Sequence, residues 1–291
     1  MYICFKSSHF RTRKRTEHLE DRIWFRDEDD FKVGMNYVAV QVAIGQVFLL
    51  AFILMSNHVH FVLYGYYEDA LAFVNGFKMR FAKYLRNRYG AKEFLRENGV
   101  DIRALPLGEE AVERAIAYVH MNSVAANICA NASQYPWGSG NVLFNRTVQN
   151  GTRVDKMSKR ERERILRCSL DIPAHWILDN GYILPSSYLS VKKAESIFRT
   201  PKRMNFFLSS SSKARKIKSV EDGIPSFRDQ IVAAAIPDLC MTLYGRSSMT
   251  GLSTEEMVEV LRQIRYRFSS NVNQIARVTG LSYAEAARLL D

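Results

Sequence analysis

"FLLAFILMSNHVHFVLYG", residues Phe48 to Gly65, sets two apolar runs on either side of a Ser-Asn step. The first run is uninterrupted and rich in Phe, Leu and Ile, and reads as a buried central strand. Asn57 turns the chain into the second run, where a period of two separates the side chains. Val59, Phe61 and Leu63 fall on one side and are pure core. His58, His60, Val62 and Tyr64 fall on the other, so two imidazoles share one surface, close enough to chelate one ion. Residues 47–56 and 58–64 are therefore predicted to form a β-hairpin in a helix-covered sheet.

The flanks extend that sheet. "YICF" near the N-terminus is a short strand, and the basic "HFRTRKR" after it is a loop. Acidic residues followed by helically spaced apolar ones predict a helix from Asp29 to Ala43. After the hairpin, "DALAFVNGFKMRFAKYLRNRYG" is an amphipathic helix whose buried stripe is Phe73, Phe77, Phe81, Tyr84 and Leu85. Lys78, Arg80, Lys83, Arg86 and Arg88 occupy much of its remainder and are candidates for the DNA backbone. "VDIRALPLG" is a short edge strand, and "EEAVERAIAYVHMNSVAANI" a helix with Glu109 and Glu110 at its positive end. "YPWGSG" closes a first domain near residue 145.

The expected fold is thus α+β: an antiparallel sheet with helices on one face, followed by a mainly helical extension. Residues 1–145 form the first domain and 146–250 a basic helical extension. In 251–291 a helix from Thr254 to Phe268 precedes "SSNVNQIARVTGLSYAEAARLL". There Ser270 or Asn271 caps one short helix, "TGLS" turns, and a second helix follows, a helix-turn-helix pattern. Arg277 and Arg288 lie one on each of these helices and are further candidates for DNA contacts.

Composition narrows the partners. Lys and Arg number 41 against 30 Asp and Glu, a formal charge of +11, which favours a polyanion such as nucleic acid. The four cysteines are scattered without CxxC spacing, which speaks against thiolate zinc or a disulfide framework. No apolar run reaches the ~18 residues of a membrane span. A soluble, cytoplasmic protein with no membrane partner is expected.

A His pair becomes a site only with further groups. "AIAYVHMNSV" offers them: Tyr118 and Asn122 are four apart and project from one helical face. Asn122 can give an amide oxygen to a metal, and Tyr118 a phenol that attacks phosphorus once deprotonated. His120 points to a different face, towards the surface or behind the ligands.

"MSNHVHFVL", "YVHMNSVAANI" and "YPWGSG" together resemble the motifs of single-tyrosine HUH transposases, nearest the REP-associated tyrosine transposases, across roughly residues 30 to 145. Ser123 stands where that family usually has Pro. The resemblance implies that His58, His60 and Asn122 bind Mg2+ or Mn2+ and that Tyr118 attacks a single-stranded DNA phosphate. It further implies strand transfer through a 5′-phosphotyrosine on hairpin-forming repeat DNA. Two other readings are a non-catalytic, sequence-specific DNA-binding regulator and, less favoured, a metal hydrolase. The hydrolase would need more metal-binding histidines, and only His9, His18, His120 and His175 remain. The protein could act as a monomer or a homodimer.

Overall fold

Phe48–Leu54 (β2) and Val59–Tyr64 (β3) form the predicted antiparallel hairpin, closed by a bond from Met55 N to His58 O. The computed structural model describes residues 2–6, 23–90, 101–106, 110–126, 128–147, 150–211, 229–268 and 270–290. The basic segment at 9–15 and Glu109 lie outside them. Tyr2–Lys6 (β1) inserts beside β3, and Asp101–Leu105 (β4) completes the sheet in the order β2-β3-β1-β4, antiparallel throughout. The expected short N-terminal strand and the edge strand are both present.

Glu28–Ile44 (α1) starts where Asp27 caps it, its carboxylate accepting from Asp30 N, and it ends at Gly45. Nearly every residue from Asp30 to Gln41 is buried, so α1 is a central helix rather than an amphipathic one. It runs close enough to Phe25 that a Cβ on Gly34 would meet the ring at 2.5 Å. Tyr67–Tyr89 (α2) buries the expected stripe, with Phe73 and Phe77 meeting Phe61 edge to face.

Ala111–His120 (α3) packs on the opposite side. Its Tyr118 meets His60, which neighbours Phe61 in β3 and so points the other way. Helices therefore cover both faces of the sheet, and the expectation of one covered face is corrected. The cause is that both side-chain sets of β3 are buried, leaving neither face for water.

The packing continues past residue 145. Trp137–Ser139 lies along the free edge of β2, with Leu54 N bonded to Trp137 O and Ser139 N to Phe52 O. A Cβ on Gly138 would stand 2.8 Å from Phe52 O, so the approach requires glycine. One continuous core then runs from Trp24 to Phe207, taking in Trp176, Ile183, Tyr188 and Phe198. The mainly helical segment between also holds three short strands: Thr152–Arg153 (β5), Ile177–Asp179 (β6) and Tyr182–Ile183 (β7) make a small antiparallel sheet. Buried Asn36 of α1 docks it, accepting from Ile183 N and donating to Gly181 O, both at 2.9 Å. Helices Lys159–Leu166 (α5), Pro185–Tyr188 (α6), Val191–Phe198 (α7) and Pro201–Ser210 (α8) complete this body, with a short turn, Asn122–Ala125 (α4), after α3.

A second core joins Asp229–Tyr244 (α9), Thr254–Phe268 (α10), Val272–Thr279 (α11) and Tyr283–Leu290 (α12). Among the described residues, α9 packs with the helices that follow residue 251. Asn271 is the cap of α11, accepting from Gln274 N, and Gly280 ends it at φ 76°. No helix among the described residues is long and apolar enough to cross a membrane.

Candidate active site

The strand places His60 with its side chain towards α3, 1% exposed, while His58 sits just before the strand and is half-buried. Their ring centroids are 5.0 Å apart and nearly perpendicular. His58 Nδ1 lies 2.8 Å from Asn57 Oδ1. An oxygen acceptor at that position makes Nδ1 the N–H and leaves the lone pair on Nε2.

Helix α3 brings Tyr118 edge-on to His60, with ring centroids 5.7 Å apart. One turn on, Asn122 is buried, and its Nδ2 donates to Tyr118 O at 2.8 Å and Val119 O at 3.2 Å. Two carbonyls can accept only from the NH2 group, so the amide oxygen is turned to the other side. The strand and the helix thus bring His58, His60 and Tyr118 together, with Asn122 one helical turn after Tyr118.

The residues expected from the sequence as ligands would offer two imidazoles and an amide oxygen. No group of three or more His, Cys, Asp or Glu that could hold a metal occurs among the described residues. Such an uncharged set suits a divalent ion that also takes oxygen from a phosphate, and it suits structural zinc poorly.

His120 is not at the surface. It is 1% exposed, with Nε2 2.9 Å from Ser139 Oγ. That hydroxyl already donates to Phe52 O, so His120 must be the donor in this pair. Burial lowers its pKa to about 4, and the neutral ring ties α3 to the Gly138 segment. The tyrosines nearby in sequence are also committed. Tyr84 and Tyr89 both donate to Asp30, and burial, together with that carboxylate, pushes both phenols above their ordinary range. Tyr135 donates to Leu54 O.

The basic residues of α2 lie across the sheet from Tyr118, because α2 covers the Phe61 face. Lys83 and Arg86 are exposed there; Lys78 and Arg80 are half-buried, and burial lowers the Lys78 pKa. Arg88 is drawn inward to Asp27 and Asp30, each at 2.7 Å. Arg277 is likewise paired internally, with Asp229 at 2.9 Å, whereas Arg288 is exposed.

Sequence reading missed Arg114. It precedes Tyr118 by one turn, and both line an open cleft of about 300 Å³ with Leu105, Phe207 and Ser210. Arg114 and Arg203 of α8 flank the Phe207 ring, at 5.7 and 5.1 Å from its centroid. The Arg114-Tyr118-Asn122 spacing was the available signal.

No family model and no curated protein matches the chain. Among solved structures, one described as "Structure of the REP associates tyrosine transposase bound to a REP hairpin" aligns with a TM-score of 0.35 and 12% identity. That alignment covers 65% of this chain and 88% of the other. A likeness this slight bears no weight, and the site stands on its own geometry.

Proposed function

We propose that the chain cleaves and rejoins single-stranded DNA with Tyr118 as nucleophile, His58, His60 and Asn122 holding Mg2+ or Mn2+, and hairpin-forming repeat DNA as substrate. The observation that carries this reading is the edge contact of Tyr118 with His60, which puts a phenol beside a pair of imidazoles. A bound divalent ion supplies polarisation of the scissile phosphate and stabilises its developing charge. Tyr118 Oη forms the bond to phosphorus as the P–O3′ bond breaks. The phenol loses its proton and the departing 3′-oxygen gains one, leaving a 5′-phosphotyrosine and a 3′-hydroxyl. Attack by another 3′-hydroxyl reverses the step and transfers the strand, so no nucleotide cofactor is needed.

The C-terminal helices favour a DNA-binding role alongside the chemistry, through the exposed Tyr283 and Arg288 of α12. The regulator reading keeps that role and drops the cleavage.

A labelled single-stranded hairpin incubated with Mn2+ and resolved on a denaturing gel separates the two. A covalent adduct mapped to Tyr118, abolished by EDTA and reduced roughly a thousandfold or more in Tyr118→Phe with binding retained, is the expected result. Binding without any adduct would leave only the regulator.

A further inference from the structure

The C-terminal unit touches the body at the turn that presents the histidines. Asp229, the first residue of α9, is 5% exposed and accepts from four donors. Three come from its own unit: Gln274 Nε2 at 3.0 Å, Arg277 Nε at 2.9 Å and Arg277 Nη2 at 3.1 Å. The fourth is Ser56 Oγ of the body, at 2.5 Å. Burial alone would raise the Asp229 carboxyl, but Arg277 and the hydrogen bonds outweigh it and hold it below its ordinary value, so the anion is the resident form.

Ser56 lies two residues before His58. Its carbonyl accepts from Trp24 N at 2.7 Å and Phe25 N at 3.0 Å, and Gln230, next to Asp229, donates from its side chain to Phe25 O. The start of α9 therefore grips both strands of the chain that meet at this turn. Asn57, between Ser56 and His58, is the residue whose oxygen sets the His58 tautomer. Shifting Ser56 would shift Asn57 and with it the orientation of the imidazole.

We infer that Asp229 is a positioning residue, which fastens the C-terminal unit to the Ser56-Asn57 turn so that the seating of that unit sets the geometry of His58. The mechanical link stands on the hydrogen bonds. Its consequence for a metal rests on the reading of His58 and His60 as ligands given under Proposed function. A unit that both carries the exposed α12 and grips the histidine turn would make DNA capture and metal binding influence each other, in both directions.

Ser56→Ala is the informative variant. It removes the Ser56–Asp229 bond and leaves Asp229, Gln274 and Arg277 bonded within their own unit and Gln230 bonded to Phe25 O. Two measurements on the full chain follow it: hydrogen exchange of the Trp24, Phe25 and Met55 amides, which the turn protects, and Mn2+ binding by electron paramagnetic resonance. The expected results are exchange about fivefold faster at those amides, with the amides of α11 unchanged. Mn2+ affinity should fall about tenfold, with Ser56→Thr restoring it. Unchanged exchange at the three amides would overturn the link. Faster exchange with unchanged, His58-dependent Mn2+ affinity would overturn its control over the histidine. If Mn2+ binding is the same in parent and His58→Ala, the metal reading fails, and with it the metal consequence, while exchange still decides the link.

Discussion

Asp30 in the body and Asp229 in the C-terminal unit are built alike and used differently. Each sits in the first turn of a helix, is buried, and accepts four hydrogen bonds that include an arginine's. The donors to Asp30 are Arg88, Tyr84, Tyr89 and Arg26 N, and all belong to the body. One donor to Asp229, Ser56, belongs to the other core. The first hub closes α1 onto α2; the second bridges two cores. A buried carboxylate with satisfied lone pairs can thus serve as a lock or as a joint, and the origin of its donors decides which.

The largest expected effect tests the lock. Asp30→Ala takes the acceptor from the Tyr84 and Tyr89 hydroxyls and leaves Arg88 only Asp27, and should cost the body about 3 kcal/mol or more. That corresponds to a fall in melting temperature of roughly 10 °C for a core of this size. The transition of the C-terminal unit, followed by exchange of the α11 amides, should stay where it was. If both transitions fall together, the two cores are one cooperative unit and the contrast disappears.

Acid should separate the same two regions by a smaller amount. His120 is held neutral with a pKa of about 4 in the folded body, against 6.5 when exposed, so between these values the unfolded chain binds more protons. Its contribution is complete above pH 6.5 and is lost as the pH falls towards 4, by roughly 3 kcal/mol at most. Asp229 has the same sign but acts in a lower pH window. Its carboxyl is depressed when folded, so what it contributes is present above the ordinary value of 3.8 and lost only as the pH falls through its lower folded value. Residues 229–290 contain no histidine. Denaturant midpoints at pH 7 and pH 5 should therefore drop for the body and hold for the unit. His120→Gln should flatten the body's pH dependence; an unaltered slope would assign it to another group.

How much of this was legible follows from the range of each interaction. The hairpin, the Phe stripe of α2 and the pairing of Tyr118 with Asn122 are patterns of neighbours two, three or four residues apart, and the sequence carries them directly. Arg88 could not be read the same way, since Asp27 and Asp30 are distant in sequence and only the α1-α2 packing brings them together. Arg277 was obscured likewise by Asp229. Strands β5 to β7 are two or three residues long, too short for a period, so they went unread within the mainly helical extension at 146–250. Burial on both sides of β3 was hidden because Val62 and Tyr64, on the histidine side, read equally well as a face lined by ligands.

The smallest expected effect separates the two arginines of the C-terminal pair. Helix α11 turns Gln274 and Arg277 inward to Asp229, which leaves α12 as the helix presented to solvent, with Ser282 Oγ accepting from Glu285 N at its start. On the proposed helix-turn-helix reading the second helix enters the groove, and the exposed Tyr283 and Arg288 lie on the second helix of this pair. Arg288→Ala should therefore weaken DNA binding about tenfold or less and lower the salt dependence by about one counterion, with no change in melting. Arg277→Ala should do the reverse, destabilising the unit by stranding Asp229 while a fully folded fraction binds as before. Fluorescence anisotropy across a salt series, beside a melting curve for each variant, reads both. An Arg277→Ala variant that melts normally yet loses salt-dependent affinity would make α11 the DNA-facing helix, and Asp229 would then be a partner that DNA displaces.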